Sequence, residues 1–190
     1  MQLLSITKNK YFIYSALTLI ISISLYSGFK WSFYNQDYHH SFFILSTYVD
    51  YQNGFKYFKD IFLQYGPGQL ILFNLIDYFI HINIVSISNL NVVVYSLHLF
   101  VLFKIFEKVS TIQIAFLATL IIFLIHPYSI YPWPDYLSGI CLGLFFFFFL
   151  NKDNKYNIFL CSFFLFLAIF FRSTYIINIL FSIFLYSSIL

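Results

Sequence analysis

An all-α integral membrane protein of about seven transmembrane helices with one long loop is the fold class this sequence predicts, and three observations predict it. Ten basic and seven acidic side chains make 17 charges in 190 residues, 9% of the chain, where an ordinary soluble domain carries roughly 25%. Hydrophobic residues make up 61%, with 28 Phe and 17 Tyr, and mean hydropathy is +0.84. The apolar residues fall into runs of 15 to 19 separated by short polar breaks, close to the length a helix needs to cross hydrocarbon at about 1.5 Å per residue. A soluble globular enzyme, a disordered chain and a nucleic-acid binder working through a basic surface are excluded by the same arithmetic. The formal net charge of +3 informs through its distribution along the chain rather than its size.

The first span is 11–29, behind Lys8 and Lys10, whose charge assigns that end to the cytoplasm. A cleavable signal peptide shares the basic start, but the run is long for one. Tyr26-Ser27-Gly28-Phe29-Lys30 offers no small-x-small cleavage site. A retained helix follows, and residues 30–68 become an extracytoplasmic loop. That loop holds 6 of the 17 charges, Lys30, Asp37, Asp50, Lys56, Lys59 and Asp60, together with His39 and His40. Within it, 40–53 reads as a short interfacial helix with Ser46, Asp50 and Asn53 along one face. Gly54 suits its C-terminal cap. Gly66-Pro67-Gly68 then breaks the chain, with Pro67 suited to open the next helix.

Residues 69–190 supply the further spans, at about 69–84, 88–106, 111–127, 136–150, 157–171 and 174–190. Residues 1–190 form a single transmembrane module without internal repeat. The 69–84 segment is short and carries Asn74, Asp77 and His81, which argues against a full crossing. Simple alternation puts Lys104 and Lys108 outside, whereas the positive-inside tendency puts them inside; the sidedness of Asp135 stays open with them. Cys141 and Cys161 sit in apolar runs and read as small hydrophobes. The chain stops at Ser187-Ser188-Ile189-Leu190 within an apolar run, which predicts a truncated C-terminus with more helices beyond it.

The loop reads Trp31, then Asp37-Tyr38-His39-His40, then Asn53-Gly54, Lys59-Asp60-Ile61-Phe62 and Gln64-Tyr65-Gly66-Pro67 entering the second span. This order resembles the first external loop of GT-C-fold glycosyltransferases, polytopic enzymes that include the protein O-mannosyltransferases and the aminoarabinose transferases of lipid A. The likeness is specific over 30–68 and loose over the rest, and is nearest to uncharacterised bacterial members of the group. It implies a transferase in the cell membrane that uses a polyprenyl-phosphate-linked sugar on the extracytoplasmic side, with a lipid, glycan or protein as acceptor. It also implies that the loop acid, here Asp37, is the catalytic base. Many relatives have two adjacent acids there; this chain has Asp37-Tyr38, which leaves a single base, requires no cofactor and does not favour a divalent cation. A second Asp often opens a later span about a hundred residues on, and Asp135 follows Asp37 by 98.

The chemistry needs these residue types. A sugar on a phosphate already has a leaving group, so the enzyme must take the acceptor hydroxyl's proton and hold the departing phosphate. Asp37 suits the first task; Lys56, Lys59 and Arg172, the chain's only arginine, suit the second. His39, His40 and Tyr65 are candidates for substrate contact. Adjacent histidines on a helix point about 100° apart and chelate poorly. Each residue also has a plainer role: Asp37 as a solvated acid, Lys56 and Lys59 as interfacial anchors, Asp60 as a partner of Lys56, Asp135 as a helix cap, Arg172 as a helix end, Trp31 and Tyr65 as interfacial aromatics. A transporter or flippase is the rival class, with Asn74, Asp77 and His98 as intramembrane polar residues, and a non-catalytic membrane fragment is the third.

Overall fold

A computed structural model describes residues 10–32, 38–56, 59–61, 66–125, 134–151, 156–174 and 176–177. The regular elements among them are all helices: α1 Lys10–Trp31, α2 Tyr38–Gln52, α3 Gly68–Asp77, α4 Ile84–Val109, α5 Ile112–Ile125, α6 Pro134–Phe149 and α7 Tyr156–Phe171. Two of them, α1 and α4, are long and apolar enough to cross a membrane, at about 33 and 39 Å. The segment at 69–84 is not a comparable helix. Its regular part, α3, has ten residues, about 15 Å, and the chain turns irregularly through 78–83 before α4 starts. The predicted last span, 174–190, lies almost wholly outside the described residues.

The helix boundaries follow from local chemistry. Asn83 caps α4: its side-chain oxygen accepts from the Val85 and Ser86 amides at 2.9 and 3.0 Å, and the Ser86 hydroxyl accepts from the Asn83 amide at 2.7 Å. This reciprocal pair satisfies donors that every helix start leaves over. At the end of α2 the predicted glycine cap is present, with Gly54 at φ +90°, a conformation that costs glycine nothing. Pro67 stands immediately before α3 with helical dihedrals, its carbonyl accepting from the Ile71 amide at 3.3 Å.

Side-chain pairs give each helix its direction. The Tyr14 hydroxyl of α1 reaches Glu107 of α4 at 2.8 Å, and Ser96 of α4 meets Ser24 of α1 at 3.2 Å, so α1 and α4 are antiparallel. On α6, Gly139 lies under the His98 ring and Gly143 under Val101, so α4 and α6 run parallel, with α5 returning between them. A Cβ on Gly143 would stand 2.7 Å from a Val101 methyl. Gly139 and Gly143 form the G-x-x-x-G spacing that lets two helices approach closely. Phe148 stacks on Phe164 at 5.6 Å, while the Asn157 side chain at the start of α7 donates to the Asn151 carbonyl just past the end of α6, making α6 and α7 an antiparallel hairpin. Both cysteines are free.

The five helices α1, α4, α5, α6 and α7 therefore alternate in direction and define two ends. One end carries Lys10, Lys104, Lys108 and Asn151, with the Lys108 ammonium donating to the Asn151 side chain at 2.7 Å. The start of α1 and the end of α4 share it, so Lys104 and Lys108 stand at the same end of the bundle as Lys10. A cluster of Ile13, Leu17, Phe103 and Ala115 ties α1, α4 and α5 together near this end. The opposite end carries the close of α1, the α2–α3 hairpin, the starts of α4 and α6, and the close of α7.

Candidate functional site

The second end is assembled around the α2–α3 hairpin. Ile44 and Tyr48 of α2, Leu70 and Phe73 of α3, and Ile82 and Ile87 at the start of α4 form one buried cluster, with the Tyr48 and Phe73 rings edge to face at 6.1 Å. Above it runs a polar network. The Tyr48 hydroxyl donates to Asp77 and accepts from the Gln52 amide at 2.8 Å; Gln52 also donates to Asn74. Burial and the facing Asp77 carboxylate push the Tyr48 hydroxyl up to about 12. Asp77 is held below its ordinary value of 3.8, first by the Ile82 amide donating at 2.7 Å and then by the Tyr48 hydroxyl. His81 stands 3.5 Å from the same carboxylate. Asp77 is thus tied both to α2 and to the segment that follows α3, so the network braces the turn from α3 into α4.

The Gly66-Pro67-Gly68 turn fastens the hairpin to α7. The Gly66 amide donates to the Phe171 carbonyl at 3.1 Å. A Cβ on Gly66 would run into the Phe170 carbonyl, and one on Gly68 would stand 2.6 Å from the Phe170 ring. Arg172 follows directly, just past the last turn of α7, with its amide donating to the Ala168 carbonyl at 3.0 Å and its Nε to the Thr174 hydroxyl at 2.9 Å. It marks a helix end and also sits where the loop re-enters the bundle.

The other candidates are distributed as follows. Asp37 and Tyr65 lie outside the described residues. His39 and His40 belong to the first turn of α2 and Asp135 is the second residue of α6; their side chains are likewise outside the described set. Lys56 and Lys59 stand exposed on the turn that follows α2. The expected Lys56–Asp60 pairing is made differently: it is the Lys56 backbone amide that donates to the Asp60 carboxylate, at 3.0 Å. Among the described residues no three His, Cys, Asp or Glu side chains gather as a metal site.

One further feature lies at this end, of which the sequence singles out only His98. Asn91, Tyr95 and His98 follow each other at four- and three-residue spacing and so share one face of α4. His98 of that face lies over Gly139, and the Tyr136 ring of α6 meets Tyr95 at 5.3 Å and His98 at 6.1 Å. Asn91 and Tyr95 are 4% and 3% exposed. Among the described residues neither the Asn91 Nδ2 nor the Tyr95 hydroxyl has a hydrogen-bond partner. The i, i+4, i+7 spacing of polar residues inside an apolar run was the available signal.

Comparison with known proteins adds no assignment: no family model, no curated protein and no solved structure matches this chain.

Proposed function

We propose that the chain is the membrane-embedded module of a GT-C-like glycosyltransferase, moving a sugar from a polyprenyl-phosphate donor to an extracytoplasmic lipid, glycan or protein. In this reading α1, α4, α5, α6 and α7 cross the bilayer and the α2–α3 hairpin rests on its outer face. Exposed apolar side chains along α1, α4 and α5, such as Leu19, Ile23, Leu97 and Leu117, suit contact with lipid. Lys10, Lys104 and Lys108 share one end, as the positive-inside tendency asks of a cytoplasmic face.

The observation that carries the reading is the gathering of segments at the opposite end. The connection from α1 to α2 contains Asp37, α6 opens with Pro134 and Asp135, and α7 closes into Arg172, all on one side because α3 is too short to cross. The proposed reaction needs little covalent chemistry from the protein. Asp37 takes the proton of an acceptor hydroxyl, the acceptor oxygen attacks the anomeric carbon, and the bond from that carbon to the lipid phosphate breaks with inversion. Arg172, Lys56 and Lys59 offer charge to the departing phosphate, while His39, His40 and Tyr65 offer contacts to the substrates.

Replacing Asp37 with Asn tests this. With radiolabelled polyprenyl-phosphate sugars in isolated membranes, transfer falls about 100-fold or more, the scale of a lost general base, while membrane insertion is unchanged. Wild-type transfer rates in that variant remove Asp37 as the base. A second reading, a transporter, is favoured by the polar face of α4, and predicts substrate uptake into vesicles that is indifferent to Asp37.

A further inference from the structure

The polar groups of α4 divide by face. On the side toward α1, the Ser96 hydroxyl donates to the Ser24 hydroxyl. On the side toward α6, Asn91 and Tyr95 are buried with an amide nitrogen and a hydroxyl unpartnered among the described residues. Leaving a buried donor or acceptor unmade costs about 1–3 kcal/mol, and two such groups lie one turn apart on a helix that could hold leucine at both places. Their chemistry states what would satisfy them. Asn91 Nδ2 donates, the Tyr95 hydroxyl donates and accepts, and His98 beside them offers one donor and one acceptor when neutral. None of the three carries the fixed opposite charge that an ion needs on leaving water, and an apolar group would leave both atoms unmade. A hydroxyl satisfies them. The Tyr95 and Tyr136 rings, edge to face at 5.3 Å, add apolar surface of the kind that the C–H faces of a sugar pack against.

We propose that Asn91 and Tyr95 of α4, with Tyr136 of α6, form a subsite for an uncharged, hydroxyl-bearing ring: the sugar of the lipid-linked donor. This rests on the glycosyltransferase reading and extends it to residues inside the bundle. In sequence, Tyr136 directly follows Asp135, the second residue of α6. The close approach of α4 and α6 over Gly139 means that a ring enters only as the two helix starts part.

The test measures binding of labelled lipids to the full chain in nanodiscs. Polyprenyl-phosphate glucose, mannose and arabinose are compared with the same polyprenyl phosphate bearing no sugar, for the wild type, Tyr95→Phe and Asn91→Ala. Each substitution weakens the preferred sugar-bearing lipid about tenfold, the worth of one hydrogen bond to a well-placed group. Binding of the bare polyprenyl phosphate and the unfolding temperature do not fall. Tyr95→Phe removes a single oxygen and decides the matter alone if Asn91→Ala does not fold. Equal weakening of both kinds of lipid, or no weakening of either, overturns the subsite and leaves these atoms to buried water. A wild type that binds bare and sugar-bearing lipids equally also overturns the subsite, while one that binds neither overturns the glycosyltransferase reading with it.

Discussion

The two ends of the bundle treat their polar residues in opposite ways. At the lysine end they are committed to one another: Tyr14 donates to both Glu107 oxygens at 2.8 and 3.0 Å, Lys104 pairs with Glu107 and reaches the Tyr14 hydroxyl at 3.2 Å, and Lys108 donates to Asn151. Lys10 and Lys104 also lie over the face of the Tyr14 ring, at 5.7 and 5.5 Å from its centre. These contacts join α1 to α4 and α4 to the residue that follows α6, and among the described residues no buried side-chain polar atom at this end lacks a partner. At the other end, the Asn91 Nδ2 and the Tyr95 hydroxyl are buried without partners among the described residues, and glycines let α6 approach α4 and the 66–68 turn approach α7. Fully satisfied networks rigidify, whereas unsatisfied buried groups call for an explanation from outside the fold. The difference separates an end that holds the bundle from an end with bonding capacity to spare.

The largest effect expected on stability lies at the glycine contact. Gly139→Leu drives a side chain into the His98 ring, because the Cβ position already overlaps it. Overpacking of this kind costs about 1–3 kcal/mol, read as a lowered midpoint in detergent-denaturant unfolding, and it also separates Tyr95 from Tyr136. Should Gly139→Leu unfold like the wild type, the α4–α6 approach is not held by that glycine, and the contrast between the ends loses its structural half.

A smaller change sharpens the contrast, since the same atom can be removed at each end. Tyr14→Phe deletes a hydroxyl bonded to Glu107 and Lys104, and costs about 1 kcal/mol or somewhat more because its partners are charged. Tyr95→Phe deletes a hydroxyl with no partner among the described residues. It is neutral or stabilising, because a desolvated group disappears and no bond is lost. Unfolding midpoints of the two variants therefore move in different directions or by clearly different amounts. Equal destabilisation by both would mean that Tyr95 is bonded in the folded protein and that the two ends are alike.

Part of this architecture is legible in the sequence, and the reasons are local. The helix over 40–53 was announced by polar residues on one face and Gly54 behind it, and it appears as Tyr38–Gln52 with Gly54 at positive φ. The end of the bundle at which Lys104 and Lys108 stand was not readable, because it depends on how far the helix within 69–84 runs. That turns on where a helix stops: Asp77 folds back onto the Ile82 amide, a tertiary choice that hydropathy does not encode. Gly139 and Gly143 were visible as a spacing, but only a facing helix gives that spacing meaning. Asn91 illustrates the same limit more sharply. Only its register with Tyr95 and His98 along a continuous α4 turns it into part of a face. For Asp37, Tyr65 and the side chain of Asp135, the sequence remains the whole basis of the reading.

The smallest effect concerns the α2–α3 hairpin, which shares an end with the unpartnered face yet ties its own polar groups to one another as the lysine end does. The carboxylate of Asp77 is held below 3.8 by the Ile82 amide and the Tyr48 hydroxyl. A group whose folded-state pKa is depressed contributes stability above its unfolded value, and loses that contribution as pH falls through the folded one. The hairpin is therefore at full strength at neutral pH, and this contribution declines progressively below about pH 4. Protonation at first leaves the Tyr48 contact possible but weakens the acceptor that holds the Ile82 amide, so the turn into α4 loosens before the bundle does. Proteolysis of the 78–83 turn, followed from neutral to acid pH with an acid-stable protease, increases over that range in the wild type. In Asp77→Asn the turn is cut at the higher rate throughout and the pH dependence is gone. A wild-type turn equally resistant at both extremes would show that Asp77 does not brace it, and would place the hairpin with the uncommitted face of α4 rather than with the lysine end.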